Sequence, residues 1–367
     1  MPTQFTIRRL LFAASCCAVY SPALPQHARA GVIDFSPDGR QIAYEWSREL
    51  DISSLDGGAP VSVRAADKVG FVQWSPRGRI LAFLNRTEAG NELGLYNAAT
   101  STARGIGGGF RQPFAWREDG NRFACVRGET VAENELVWYN LVENGIAFRA
   151  KLAVSPASPM VWLPTTDDLA FVGADHNVYT VESGELKKVT TTGDVLGLAL
   201  YAGGKKLVWA RRSANLHYIL LTVYAYDLTS RNVARLPFPD RVAALNPDPR
   251  TAPESIDHVD FSPDGSHMLL YAIQSGAKGR SAVLYTVSMD GKSARQIQKL
   301  PLASVPGGMA DAWTVVDVSP RKDGIEAAWS RDGRMIGVRA TVSGAQKLFV
   351  TAADGTSPRL IRGDTRP

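Results

Sequence analysis

The sequence predicts an all-β chain folded as a β-propeller of four-stranded antiparallel blades. Three observations predict it. The phrase Ser36-Pro37-Asp38-Gly39 returns as Ser262-Pro263-Asp264-Gly265, with worn copies ending at Gly78, Gly120, Thr166, Gly204 and Gly333. A large apolar residue precedes each copy, and a short alternating apolar run follows it. The copies recur at about forty residues, a period that marks solenoids, propellers and arrays.

Each element of the unit has a physical reason. The first strand ends on Phe35, Trp74, Trp116, Trp162, Leu200, Phe261 or Trp329. The phrase then turns the chain: proline presets φ, Asp accepts a local backbone hydrogen bond, and Gly takes a positive φ. A second strand follows, as in Ile42-Ala43-Tyr44, Leu81-Ala82-Phe83 or Met268-Leu269-Leu270, so the phrase sits at the tip of a β-hairpin. A third strand, a polar turn and a fourth strand complete the unit, as in Leu284–Met289 to Arg295–Ile297 and Leu348–Ala353 to Arg359–Ile361. Four antiparallel strands repeated radially make a propeller.

The count is seven units, 31–66, 69–107, 111–152, 158–190, 195–238, 256–298 and 325–362, with six or eight blades as the alternatives. Successive glycine slots lie 39, 42, 46, 38, 61 and 68 residues apart. The two long intervals hold insertions: the hairpin 211–222 with the loop 239–253, and the segment 299–324. The last echoes the phrase at Ser319–Gly324 but has no room for an eighth blade. All copies share one phase, so the ring is expected to close by side-chain packing of unit one on unit seven, not by a shared sheet.

Residues 1–30 are expected to be a secretory signal peptide, leaving 31–367 as a single propeller domain. Arg8 and Arg9 precede an apolar stretch from Leu10 to Val19, too short to span a bilayer, and Ala28-Arg29-Ala30 offers a cleavage site. The segment carries three arginines and no acid, so its removal takes the net charge from +5 to +2, 38 basic against 36 acidic residues. No basic block remains to track a phosphate backbone, and nucleic acid is excluded as a partner. Cys125 is then the remaining cysteine of three. It cannot form an internal disulfide and reads as a buried apolar residue.

Motifs of catalysis are missing. The chain has no G-x-S-x-G elbow, no C-x-x-C, no H-E-x-x-H and no phosphate loop. No catalytic residue, metal ligand or cofactor is assigned. One polar set deserves weighing as a ligand site at the mouth of the central channel. His258 and Asp257 lie on the first strand of unit six, Glu326 takes the His258 slot in unit seven, and Arg111-Gln112 enter unit three. Convergent polar groups in a concave site can hold a ligand, whereas a solvated rim needs no function. The Arg362-Gly363-Asp364 tripeptide and the Asn85-Arg86-Thr87 sequon read as chance matches.

The phrase S-P-D-G followed by L-A-F, then L-Y-x-x-D-x-x-G and R-x-[LI], resembles the WD40-like repeat of TolB-type propellers. The match is strongest at Ser36–Tyr44, Trp74–Phe83, Phe261–Leu270 and Leu348–Ile361. The resemblance implies an exported propeller that binds other proteins. TolB-type chains carry an α/β domain and six blades, whereas here the first unit follows the signal directly and seven are counted. Similar repeats front prolyl-oligopeptidase-type peptidases, whose hydrolase domain has no counterpart here.

The expected function is therefore that of a non-enzymatic, periplasmic or secreted interaction module, with a protein partner and no transmembrane anchor after signal cleavage. Loops longer than a repeat needs are commonly functional. Leu216 and Tyr218 (with Ile219 and Leu220) in one insertion, and Met309 and Trp313 in the other, are the candidate partner contacts. The alternatives are a propeller lyase or hydrolase acting on a glycan or peptide at the channel mouth, and an accessory subunit of a peptidase or envelope complex.

Overall fold

The structure is a computed structural model. It describes residues 33–63, 68–87, 90–128, 134–157, 160–164, 166–201, 203–215, 218–238, 253–276, 279–301, 325–342 and 345–363. Residues 1–30, expected from the sequence to be a signal peptide, therefore lie outside the described residues. All regular structure among the described residues is strand and turn, in seven antiparallel sheets of four consecutive strands. The blades cover 33–63, 68–108, 110–151, 161–188, 195–235, 253–301 and 325–363. The chain is a seven-bladed β-propeller.

The turn phrase works as its chemistry dictates. The Gly39 amide donates to the Ser36 carbonyl at 2.9 Å, and the Ser36 hydroxyl donates to the Asp38 carboxylate at 2.6 Å. Asp38 also accepts the Arg40 amide at 3.0 Å. Ser262–Asp264 and Ser330–Asp332 repeat the hydroxyl–carboxylate bond at 2.6 Å. In blade four, where Thr166 replaces glycine, the corresponding amide bond stretches to 3.4 Å. The glycines also meet the preceding blade. A Cβ at Gly204 would come within 2.5 Å of Pro164, and one at Gly333 within 2.8 Å of Asp264. Both have positive φ, +83° and +72°, so conformation and space each call for glycine.

Strand order sets two faces. Within each blade, the first-to-second and third-to-fourth turns leave on one side, here the turn face. The second-to-third hairpins and the connections between blades leave on the other, the hairpin face.

The core lies between blades. The repeated aromatic slot is buried throughout: Phe35, Trp74, Trp116, Trp162, Phe261 and Trp329 are each at most 4 % exposed. Trp116 and Trp162 donate their indole N–H to inner-strand carbonyls of the preceding blade, Gln73 at 3.2 Å and Ala115 at 2.8 Å. That bond satisfies a polar atom that burial would otherwise penalise. Cys125 is buried between blades two and three, and burial pushes its thiol well above its ordinary range. Asn85 is a buried strand residue, 6 % exposed, which fits its dismissal as a glycosylation site.

The ring closes without a shared sheet among the described strands. Blade one and blade seven each use their own four strands. Ile33, Phe35, Ile42, Tyr44 and Trp46 pack on Ala328, Leu348 and Val350. Arg339 of blade seven binds Glu326 through Nε at 2.9 Å, and its Nη1 binds the Glu45 carboxylate and, at 2.9 Å, the Glu45 carbonyl. Arg362 reaches the Asp51 carboxylate and the Tyr44 hydroxyl, and its guanidinium lies 4.6 Å from the Trp46 ring centre.

Arg339→Met strands two nearly buried carboxylates and should cost about 3–5 kcal/mol by chemical denaturation. Arg149→Met, which breaks an exposed pair with Glu135, should cost less than about 1 kcal/mol. The Ser288 hydroxyl holds the Asp290 carboxyl down to about 2 from 3.8, and the Lys292 amide assists. A carboxyl depressed on folding adds stability above its unfolded value that is lost as pH falls through its folded value. Ser288→Ala should therefore raise the Asp290 titration midpoint toward 3.8 in carbon-detected NMR.

Candidate functional site

The channel is lined by the seven first strands, and several share an irregularity. Pairing with the second strand skips Gly70 in blade two, Gln112 and Pro113 in blade three, Leu196 in blade five and Asp257 in blade six. These positions lie at the same distance from the turn phrase. Bulges there re-aim side chains near the hairpin-face mouth, a device common beside functional sites. Two of the residues read from sequence as site candidates, Gln112 and Asp257, are thus bulge residues; their side chains lie outside the described set.

His258 follows the bulge and pairs with Tyr271. It is partly exposed, and its ring is tilted against Tyr271 with centroids 5.6 Å apart. The Tyr271 hydroxyl reaches blade seven and accepts the Ala327 amide at 3.1 Å. Ala327 adjoins Glu326, which holds Arg339. His258 and Glu326 therefore stand on adjacent inner strands, with Tyr271 between them, and Glu326 and Glu45 of blade one share Arg339. Burial disfavours the Arg339 charge, but the Glu326 and Glu45 carboxylates more than offset it and hold the guanidinium above its ordinary value.

Arg111 belongs elsewhere. It lies in blade three and donates to the Asn134 side chain at 3.4 Å, and Asn134 in turn donates to Ser155. In blade five Asp194 accepts two bonds from Arg211, at 2.7 and 2.8 Å. Glu326, Arg111 and Asp194 are thus each held in a brace of their own.

The opposite end of the channel carries a feature the sequence analysis passed over. The second position of the phrase holds proline in blades one, two, four and six, but Glu118 in blade three and Arg331 in blade seven. Arg331 Nη1 donates to the Pro76 carbonyl at 2.7 Å, reaching past blade one to blade two. Its side chain therefore lies across the turn-face end of the channel. Burial lowers the affinity of Arg331 for its proton, and the negative charges of Glu118 and Asp34 act against that loss. Asp34 is fixed in turn by the Trp74 amide at 2.8 Å.

The candidate partner residues Leu216, Met309 and Trp313 lie outside the described residues, as does the side chain of Tyr218. Their flanks are informative. Lys206–Asn215 and Tyr218–Asp227 pair along ten rungs, so the hairpin extends the blade's own ladder. Blade six, not singled out from sequence, has an equally long hairpin, His267–Gly276 with Gly279–Ser288. Both project from the hairpin face. Arg362, read as part of a chance tripeptide, is a closure residue. Among the described residues no three His, Cys, Asp or Glu side chains group as metal ligands, and no helix is long and apolar enough to cross a membrane.

No protein-family model matches the sequence, and no curated protein matches it. Solved structures do. An oligogalacturonate lyase in complex with manganese superposes with a TM-score of 0.60 at 13% identity, over 89% of each chain. The β-propeller domain of the Trilobed protease from Pyrococcus furiosus gives 0.52 at 11% identity, over 92% of this chain and 97% of that one. TolB from Acinetobacter baumannii gives 0.47 at 13% identity, and the match covers 92% of this chain but 64% of TolB. At these identities the likeness is one of fold. The seven four-stranded blades, and the likeness to the Trilobed protease's propeller domain, bear out the expected architecture.

The channel-end assignment can be measured. A double-mutant cycle of Arg331→Met with Glu118→Gln should show a favourable coupling of about 0.5–1 kcal/mol. Strict additivity would place the two charges out of contact.

Proposed function

We propose that this propeller is an exported, non-enzymatic interaction module that presents its hairpin face to a protein partner in the periplasm or outside the cell. The observation that carries this reading is the use made of the ionisable groups at the mouth. Glu326, Arg111 and Asp194 are bound to Arg339, Asn134 and Arg211, and they hold strands and blades in place. Such a mouth supplies a rigid rim. The long hairpin of blade five leaves on this face, and the described strands end and resume here on either side of the other two excess segments, 239–252 and 302–324. In those segments the sequence carries Leu216, Tyr218, Met309 and Trp313, and tyrosine and tryptophan are among the residue types that dominate binding energy at protein interfaces. The basic start, apolar stretch and cleavage site before Gly31 support export.

The test is capture of partners from envelope extract with three proteins. These are the mature chain, a variant with 212–221 replaced by a tight turn, and a variant lacking 302–322. Loss of the captured protein with either deletion, at unchanged melting temperature, is the expected result. Identical capture by all three would refute the reading. Turnover of an oligosaccharide or peptide that His258→Ala abolishes would favour the lyase or hydrolase alternative.

A further inference from the structure

A groove of about 770 Å³ lies between blades two and three on the turn face, away from the proposed partner surface. That volume falls within the roughly 300–1,000 Å³ usual for ligand clefts. Three arginines line it, Arg77, Arg79 and Arg104, and no carboxylate does. Two of them are oriented by neutral acceptors. Arg77 Nε donates to the Asp119 carbonyl at 2.8 Å, and Arg104 Nη1 donates to the Asn144 side-chain oxygen at 2.7 Å. The Asp119 carboxylate itself is turned to Arg117, at 3.1 Å. Arg79 has no side-chain partner among the described residues. The groove thus holds two oriented guanidinium groups and a third, on Arg79, that is exposed and unpaired among the described residues, with no carboxylate among its lining residues.

Its remaining surface decides the class of anion. Leu95, Leu141 and Val142 contribute aliphatic wall, and Val142 is 77 % exposed. No aromatic ring lines the groove, so there is no platform on which a base could stack. Guanidinium groups pair with carboxylates through two parallel bonds. We propose that this groove binds an acidic peptide segment in extended form, with carboxylates on the arginines and aliphatic side chains on the leucine–valine wall. An extended chain alternates its side chains between two sides, which suits that division. The propeller would then bind through both faces, a property that goes beyond the hairpin-face reading and does not depend on it.

The probe is a fluorescein-labelled hexapeptide of alternating glutamate and leucine, titrated with the mature protein and followed by anisotropy. Saturable binding that weakens with added salt is expected. Arg79→Glu should weaken it by about tenfold or more, since it replaces a charge-assisted contact with a repulsive one. Arg334→Glu, an exposed arginine on the turn face of blade seven, should leave affinity unchanged. Circular dichroism melts check that each variant is folded. The proposal is overturned if the glutamine analogue binds equally well, or if Arg79→Glu binds as the parent does. It is also overturned if an oligonucleotide or an acidic oligosaccharide displaces the probe at lower concentration than unlabelled peptide.

Discussion

A four-stranded blade with two apolar faces cannot stand alone, and the rest of the structure depends on that constraint. Each blade buries its faces on two neighbours, so blades one and seven must find each other across the whole length of the chain. The apolar contact of Ile33, Phe35 and Ile42 with Ala328, Leu348 and Val350 supplies the non-directional attraction. Arg339 and Arg362 supply direction. Each guanidinium crosses from blade seven to a carboxylate of blade one, Glu45 or Asp51. Ion pairs with little solvent contact recover much of what desolvation costs but add little beyond it, and their best-attested use is in fixing register. The apolar faces hold the seam, and the arginines determine how it aligns.

The same economy of means shapes the two faces. On the turn face, each copy of the phrase closes its own hairpin and also seats against the preceding blade, as Gly204 does on Pro164 and Gly333 on Asp264. This leaves little freedom for variation, and the departures from the phrase are correspondingly informative. Glu118 and Arg331 replace proline at equivalent positions of two distant blades, and Arg331 bridges the end of the channel. The hairpin face is under no such constraint. Its ladders run to ten rungs in blades five and six, and both insertions attach there.

How much of this the sequence disclosed follows from the range of each interaction. The blades were legible because turn chemistry is local: Ser36, Asp38 and Gly39 act within four residues, and the pattern survives even where Thr166 displaces glycine. Burial of Trp74, Trp116 and Trp162 was legible because an aromatic recurring at a fixed place in a repeat faces a recurring neighbour. Closure by side chains was legible from the shared phase of the units. The partners of Arg339, Arg331 and Arg362 were not, since 294, 255 and 311 residues separate them from Glu45, Pro76 and Asp51. Only the closed ring brings these together. For the same reason the braces on Glu326, Arg111 and Asp194 were not legible, and Arg362 was passed over as part of a tripeptide. The groove between blades two and three was equally hidden, because Arg77 and Arg79 come from one turn of blade two, Arg104 from its fourth strand, and the facing wall of Asn121, Leu141 and Val142 from blade three.

Closure through side chains is the central claim, and hydrogen exchange tests it most directly. Amide exchange should be followed by mass spectrometry in the parent and in Arg362→Ala, which removes the contacts to Asp51, Tyr44 and Trp46. A seam held by side chains should loosen where it is weakened, with faster exchange in 33–63 and 325–363 and unchanged protection in blades three to five. Uniform acceleration across all seven blades, or none in blades one and seven, would contradict the account.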